Sequence, residues 1–212
     1  MQPISFNTYS DVLRLAMADN LSDFEACPQP LGQLRAAAVA IVLVEGGDYS
    51  PAVLLTRRAQ TLRAHSGQWA LPGGRLDGDE TASEAALREL HEEINLPLTP
   101  EAIIGIMDDY ITRSGYRITP VVLWAGTDVS ALHPNPDEVA SIHTVSLNEL
   151  ARPDAPHFDA SPDSGQVILS MKLSVDQIYA PTAAFLYQFR EVVIQGRSTR
   201  VLHYDQPRFA WR

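Results

Sequence analysis

The segment 74–96, GRLDGDETASEAALRELHEEINL, constrains the fold more than any other part of the chain. Thr81 and Glu84 have the spacing of a capping box, in which each side chain bonds the other residue's backbone N–H, so a helix is predicted to begin there. The run 82–94 contains good helix formers and no glycine or proline. Asn95 tolerates the left-handed conformation that ends many helices, and the proline two residues later prevents continuation.

This predicted helix has an apolar side and an acidic side. At about 100° per residue, one arc contains four apolar residues that we expect to face the core, namely Ala86, Leu87, Leu90 and Ile94. Glu89, Glu92 and Glu93 share the neighbouring arc, although like charges at this spacing destabilise a helix. A solvated acidic face is the ordinary explanation, but the helix contains no lysine to balance the charge. Clustered carboxylates also bind hard divalent cations, so a metal site is predicted.

The remaining pattern predicts an α+β fold, with helices packed on a mixed sheet and no regular βαβ alternation. Strands are predicted at 36–45, 51–58, 102–112, 117–126 and 138–147, the first two as a hairpin. The segment 151–165 is rich in proline, aspartate and serine and predicts a surface loop. Helical spacing returns at 181–193.

We expect one domain, at 34–196, with an additional segment at each end. Residues 1–33 predict a helical extension whose apolar face contains Val12, Leu13, Leu15 and Ala16. Residues 197–212 predict a hairpin or extended tail that packs on the domain or on a partner subunit.

Composition narrows the classes of partner. The formal net charge of −10 repels nucleic acid and anionic membrane surfaces, so neither is an expected partner. The single cysteine, Cys27, cannot form an internal disulfide, which favours a reducing compartment. Without an apolar run of about 18 residues or a signal-like N-terminus, a cytoplasmic protein is expected.

The acidic helix and the loop before it resemble the Nudix box. Eight of its nine fixed positions match, at Gly74, Glu80, Arg88, Glu89, Leu90, Glu92, Glu93 and Leu96. The ninth is Asn95, where the family has glycine; since asparagine adopts the same backbone conformation, we expect a small cost in stability only. The resemblance implies the Nudix fold, with α-β-α layers, and hydrolysis of a nucleoside diphosphate linked to another moiety.

The resemblance also implies roles for individual residues. The ligands of Mg²⁺ or Mn²⁺ would be Glu89, Glu92, Glu93 and the carbonyl of Gly73. Arg88 would orient a glutamate by a charge-assisted hydrogen bond, and Glu80 would assist at the edge of the metal cluster. The proton acceptor differs within the family. It is either a glutamate of the helix or a carboxylate from a later loop, for which Glu138 is the candidate; an exposed loop acid without a role is the alternative.

A second stretch, LLTRRAQTLRAHSGQWALPGG, resembles the signature of coenzyme A pyrophosphatases. The matching residues are Leu54, Leu55, Thr56, Arg58, Ala59, Arg63, Gly67, Pro72, Gly73 and Gly74. Leu71 stands where the signature has phenylalanine, an apolar exchange that should alter packing more than chemistry. Together, the two motifs cover only residues 54–96.

Basic residues concentrate in this second stretch of an otherwise acidic chain. Arg57, Arg58, Arg63 and His65 lie within nine positions, although the chain has only 16 lysines and arginines. Such a patch would attract a polyanion such as the 3′-phospho-ADP end of coenzyme A, and these residues with Gly67 are the predicted substrate-binding set. The alternative is a basic loop that stabilises the fold by pairing with the acidic helix.

The sequence therefore predicts metal-dependent cleavage of the pyrophosphate of coenzyme A or its derivatives, giving 3′,5′-ADP and 4′-phosphopantetheine. Two alternatives stay open. One is a Nudix pyrophosphatase acting on ADP-ribose, a dinucleoside polyphosphate or an oxidised nucleotide. The other is a non-catalytic domain that binds a nucleotide to regulate a partner. The expected partner is a small-molecule nucleotide, and the apolar tail FAWR could serve a homodimer.

Overall fold

The structure is a computed structural model that describes residues 1–60, 67–128, 132–161 and 165–210. Its helices are α1 (Asp11–Ser22), α2 (Ala82–Ile94), α3 (Leu147–Leu150) and α4 (Thr182–Phe189), the last continued by a π-helical turn at Arg190–Ile194. In this described part of the chain, no helix combines the length and the apolarity needed to cross a membrane.

Within the described residues, two sheets form the framework. The strands of the main sheet are β1 (Arg35–Glu45), β2 (Pro51–Arg58), β3 (Trp69–Ala70), β4 (Gly73–Arg75), β5 (Ile103–Ile106), β6 (Tyr110–Ile111), β7 (Tyr116–Asp128) and β8 (Val139–Ser146). The smaller sheet contains β9 (Pro156–Ala160), β10 (Val167–Lys172) and β11 (Gln177–Tyr179). β1 pairs with β7 in parallel, and its pairings with β2 and β4 are antiparallel, so the main sheet is mixed as predicted.

The hairpin of β1 and β2 opens as it approaches the predicted metal helix. The two strands pair directly only near their connecting loop, where Leu43 lies opposite Val53. Farther on, β4 pairs with β1 and β3 pairs with β2, so these short strands occupy the space between the diverging partners. This divergence places Gly73 and Gly74, the start of the Nudix-like box, beside the middle of β1.

Alternate residues of β1 face two different helical layers, because successive side chains of a strand point to opposite faces. Ala40 and Val42 pack in a core cluster with Leu90 of α2. Ile41 and Leu43 pack in a second cluster, which includes residues of α1 and α4. The predicted α-β-α layering in an α+β fold is therefore confirmed.

The predicted apolar face of α1 is wrong in part, since Leu13 is buried as expected but two of its other members are not. Val12 and Leu15 are 78% and 64% exposed, whereas Leu13, Met17 and Leu21 are buried. The buried residues recur every fourth position, which is the spacing that one side of a helix presents to its neighbours. Those neighbours are β5 and the π-helical turn after α4, and both lie far along the chain, so local periodicity did not identify the face.

The predicted surface loop at 151–165 is also wrong in part. Residues Pro156–Ala160 form strand β9, which pairs with β10. Four of its five residues are exposed, so the segment has no apolar alternation to indicate a strand. Its proline occupies the first position, where an edge strand tolerates the missing N–H.

Buried carboxylates attach both ends of the chain to the central segment. Asp108 accepts hydrogen bonds from the backbone N–H of Cys27 at 2.7 Å and from Gln188 Nε2 at 2.7 Å, and it forms an ion pair with Arg200. Asp109 accepts from the backbone N–H of Gln29 at 2.8 Å. The N-terminal extension and the C-terminal tail are therefore held by two adjacent residues of the predicted domain.

Replacing Asp108 with alanine should loosen both ends at once, because the guanidinium of Arg200 and the amide of Cys27 lose their acceptor. We expect the free energy of unfolding to fall by about 2–3 kcal/mol, measured by urea denaturation, and the amide of Cys27 to exchange faster. Asp154→Ala is the control, since Asp154 pairs with Arg152 while 75% exposed. Equal stability of the two variants would show that Asp108 does not hold the ends.

Candidate active site

The predicted ends of the acidic helix are confirmed. Thr81 Oγ1 accepts from the backbone N–H of Glu84 at 3.3 Å, and Glu84 Oε2 accepts from the backbone N–H of Thr81 at 2.8 Å. At the other end, Asn95 adopts the left-handed conformation with φ of 55°, and the N–H of Leu96 donates to the carbonyl of Leu90. Asparagine therefore meets the same backbone requirement as the glycine of the family pattern, and the register of α2 is fixed by local contacts.

A cluster of three carboxylates forms between α2 and the turn before β8. Oxygen atoms of Glu89, Glu93 and Glu138 all lie within 4.8 Å of one another. Glu93 is 3% exposed and Glu89 is 9% exposed. The N–H of Asn135 donates to the carbonyl of Glu93 at 2.8 Å, which holds the turn against the helix. The structure thus brings two predicted helix ligands together with the loop acid considered as a proton acceptor.

Glu80 and Glu92 lie beside Arg88 instead of within this carboxylate cluster. Arg88 Nε and Nη2 donate to the two oxygens of Glu80 at 2.9 and 3.0 Å. Arg88 Nη1 donates to Glu92, whose side chain is 53% exposed, and also to Glu89, each at 2.9 Å. Arg88 therefore contacts the cluster through Glu89, as an orienting residue should. The ligand role of Glu92 and the assisting role of Glu80 stay predictions.

Burial raises the pKa of both inner carboxylates, Glu89 and Glu93. It raises the pKa of Glu93 to about 8, and the nearby Glu89 and Glu138 add to the rise while Arg58 opposes it. Burial also raises the pKa of Glu89, although Arg88 opposes that shift. The hydrogen bonds from Arg88 lower the pKa of the more exposed Glu80. The ionised forms of Glu89 and Glu93 are therefore costly in free energy unless a further cation lies nearby.

The donor set of the carboxylate cluster fits a hard divalent cation. Carboxylate oxygens are the ligands that Mg²⁺ and Mn²⁺ prefer, and Glu89, Glu93 and Glu138 are close enough to share one ion. A bound cation would also offset the repulsion that raises the pKa of Glu93. The predicted ligand Gly73 lies at the same place, where its backbone N–H donates to Glu93 Oε2 at 3.3 Å.

Two glycines allow the carboxylates to approach the β4 backbone. A Cβ on Gly74 would lie 2.1 Å from Glu89 Oε1, inside the space that the carboxylate occupies. A Cβ on Gly73 would lie 2.3 Å from the carbonyl oxygen of Ala38, and its φ of +155° disfavours any other residue. The first glycine thus serves the site, and the second serves the pairing of β4 with β1.

The described part of the predicted basic patch lies at the end of β2. Arg58 Nη1 is 3.9 Å from Glu93 Oε1, and its Nε is buried with no hydrogen-bond partner among the described residues. Arg57 is exposed, and its Nε donates to the carbonyl of Gly67, a turn residue, at 3.3 Å. Arg63 and His65 lie outside the described residues.

Sequence reasoning did not find the polar neighbours of Trp69. The indole is only partly buried and donates to Asp176 Oδ2 at 3.0 Å. The ring centroids of Trp69 and His143 lie 4.7 Å apart, in a T-shaped arrangement. The guanidinium carbon of Arg57 lies 5.8 Å from the centroid of the Trp69 ring. No sequence signal links Trp69 to Asp176 or His143, because they belong to distant segments.

Comparison with known proteins decides the family. The NUDIX domain profile matches residues 34–164, which contain α2 and all three clustered carboxylates. The chain belongs to the Nudix family. The members of this family are pyrophosphohydrolases that generally use divalent metals, so the chain is a Nudix hydrolase of pyrophosphate-containing substrates.

Relatives of this Nudix hydrolase agree with that placement. An uncharacterized Nudix hydrolase, NudL, from Photorhabdus laumondii is 33% identical over 195 residues, covering 89% of this chain and 95% of the relative. A NudL from Pectobacterium atrosepticum is 38% identical over 122 residues, covering 57% and 62%. The crystal structure of a MutT/nudix family protein from Enterococcus faecalis covers 92% of this chain and 79% of its own, with a TM-score of 0.51 and 16% identity, which shows the fold alone.

The stability of the metal-free Nudix hydrolase should fall as pH rises from about 4.5 to about 8. In this window the unfolded Glu93 is ionised while the folded residue keeps its proton, so the folded state binds more protons and loses stability with pH. Urea unfolding in EDTA should show this slope, reduced in Glu93→Gln. Glu25→Gln, which removes an exposed charge, is the control. If the slope of stability against pH is unchanged in Glu93→Gln, Glu93 is not the group whose raised pKa causes it.

Gly74→Ala should weaken metal binding while leaving the fold intact. The added methyl displaces the end of the flexible Glu89 side chain, which can move at little cost in stability but leaves the cluster. We expect a loss of about 10-fold or more in Mn²⁺ affinity, measured by calorimetry, with an unchanged melting temperature. Gly47→Ala is the control, because a Cβ there meets nothing within 4 Å. Wild-type affinity in Gly74→Ala would remove Glu89 from the ligand set.

Proposed function

We propose that this Nudix hydrolase cleaves the pyrophosphate of coenzyme A or its derivatives. The observation that carries the proposal is the position of Arg58, which belongs to the stretch resembling coenzyme A pyrophosphatases and lies 3.9 Å from Glu93. That stretch therefore leads directly into the carboxylate cluster. Water would add to one phosphorus, the bridging P–O bond would break, and the products would be 3′,5′-ADP and 4′-phosphopantetheine.

The carboxylates would hold the metal, with Mg²⁺ and Mn²⁺ as the proposed ions. Glu89 and Glu93 supply oxygens of the cluster, and Glu92 and the carbonyl of Gly73 are the further ligands that we propose. When bound, the cation would neutralise diphosphate oxygens, lower the pKa of the attacking water and stabilise the leaving group. Arg88 would keep Glu89 in position through the hydrogen bond described above.

Arg58 would bind the diphosphate itself. Its buried Nε has no partner among the described residues, so the guanidinium can donate to a phosphate oxygen without breaking an existing hydrogen bond. Arginine suits this role because its planar group bonds phosphate through two nitrogens. Before substrate binds, the guanidinium of Arg58 faces the carboxylate of Glu93. This contact limits the free-energy cost of burying the guanidinium.

Glu138 is the proton acceptor that we propose for the attacking water. Its carboxylate lies within 4.8 Å of the nearest oxygens of Glu89 and Glu93, and it is only half-buried. It belongs to the turn before β8 and not to α2, so it reaches the cluster from a different element of the fold. A base must lie within reach of the reacting water, and this position meets that requirement.

Arg57 would attract the 3′-phosphate of the nucleotide. It is exposed at the end of β2, next to the segment that contains Arg63 and His65, which we propose as further contacts. On a chain with a net charge of −10, such a local cluster would direct a polyanion to the site.

We further propose a cytoplasmic location, because the chain has a single cysteine. We also propose a homodimer in which the exposed Phe209 contributes to the interface.

The proposal is tested by incubating the purified chain with Mg²⁺ or Mn²⁺ and coenzyme A, 3′-dephospho-coenzyme A, ADP-ribose or a dinucleoside polyphosphate. We expect coenzyme A to have the highest kcat/KM. Arg57→Gln should raise KM for coenzyme A several-fold and leave KM for the dephospho compound unchanged. Glu93→Gln should lose about 100-fold or more in kcat with unchanged circular dichroism.

Arg152→Gln is the matched control for charge, because Arg152 pairs at the surface with the 75% exposed Asp154 and donates to the carbonyl of Lys172, away from the carboxylate cluster. A higher kcat/KM for ADP-ribose or for the dinucleoside polyphosphate would overturn the coenzyme A assignment while keeping the family activity. Metal and nucleotide binding with no turnover of any compound would instead support a regulatory domain.

A further inference from the structure

A cleft of about 500 Å³ lies beside β8, outside the carboxylate cluster. It is lined by Leu132, Pro134, Ile142, His143 and Thr144. None of these is a lysine, arginine, aspartate or glutamate, which distinguishes the cleft from both the acidic cluster and the basic end of β2. An uncharged ligand with aliphatic parts fits such a lining better than a phosphate does.

One edge of β8 borders this cleft with free hydrogen-bonding capacity. β8 pairs with β2 along its length, from Val139 opposite Arg58 to Ser146 opposite Ala52. Within the described residues, no strand pairs with its other edge. In an antiparallel pair, every second residue directs its N–H and C=O away from the partner, so β8 presents alternating donors and acceptors outward.

The loop that lines one side of the cleft also reaches the candidate active site. The N–H of His133 donates to the carbonyl of Ile94 at 3.2 Å, next to the bond between Asn135 and Glu93. The N–H of Glu138 then donates to the carbonyl of Asn135 at 3.0 Å. The segment that forms one side of the cleft therefore leads, within a few residues, to the carboxylate of Glu138.

We propose that this cleft binds the uncharged, amide-bearing arm of the substrate, which for coenzyme A is the pantetheine. The inference rests on the proposed function and adds where the half without the nucleotide lies. A chain of secondary amides separated by short aliphatic links resembles an extended peptide, and an extended peptide adds to a free strand edge through main-chain hydrogen bonds. Leu132 and Ile142 supply apolar contacts for the links between the amides.

The nucleotide half is a poorer occupant of the cleft. Among the described lining residues, none is a lysine or arginine that could pair with the 3′-phosphate of adenosine. Arg57 and Arg58 lie at the end of β2, opposite Ser141 and Val139, whereas the next part of β8, residues 142–144, lines the cleft. With the diphosphate held at the carboxylate cluster, the two halves of the substrate would extend toward surfaces of different chemistry.

Calorimetry with the two products measures the binding of each half of the substrate separately. Full-length protein with Mg²⁺ is titrated with 4′-phosphopantetheine and, separately, with 3′,5′-ADP. Leu132→Asp and Ile142→Glu should each weaken phosphopantetheine binding about 10-fold and leave 3′,5′-ADP binding unchanged. Because Leu132 lies in a loop, Leu132→Asp still tests the inference if Ile142→Glu, in strand β8, does not fold. Ile106→Glu, a half-exposed isoleucine of β5, is the matched control and should change neither affinity.

Three results would overturn the inference: no binding of phosphopantetheine to the wild type, no effect of either variant, or selective loss of 3′,5′-ADP binding, which would assign the cleft to the nucleotide. The proposed function fails on a different measurement, the hydrolysis of coenzyme A by the wild type. Normal hydrolysis with unaffected phosphopantetheine binding in both variants would reject only the cleft.

Discussion

The approach of buried carboxylates to the backbone of β4 is the constraint on which the site depends. Gly74 leaves the space that the carboxylate of Glu89 fills, and the backbone N–H of Gly73 bonds Glu93. Burial at this contact makes negative charge costly, which is why the pKa of Glu93 rises. Arg88 and Arg58 offset part of that charge. The remainder favours binding of a divalent cation, which Nudix hydrolases generally use.

The scaffold around this contact is assembled from segments that are distant in sequence. The divergence of β1 from β2 makes room for β3 and β4, and α2 packs over the sheet at that point. The ends of the chain are attached through Asp108 and Asp109, which bond residues of both predicted end segments. A rigid framework of this kind keeps ligand side chains in position, which binding of a small hard cation requires.

The two surfaces beside the cluster differ in the chemistry they offer. The end of β2 presents arginines, whereas the described side chains that line the cleft beside β8 are uncharged, and no described strand pairs with that edge of β8. A substrate with a polyanionic half, a diphosphate and a neutral amide-bearing half would match this order of surfaces. The same comparison explains why family membership alone does not define the substrate, since the Nudix box accounts only for the diphosphate.

The sequence by itself determined the features that depend on neighbouring residues. The capping box at Thr81, the left-handed Asn95 and the acidic arc of α2 rest on contacts within one or two helical turns, and the box spacing indicated the family. Only the tertiary structure decided that Glu138 joins Glu89 and Glu93 while Glu92 pairs with Arg88.

Three further features were decided by tertiary contacts: the buried face of α1, the exposed strand β9 and the cleft along β8. The physical reason is the same in each case. These features depend on packing and strand pairing between segments far apart in the chain, and such contacts leave no local periodicity in the sequence.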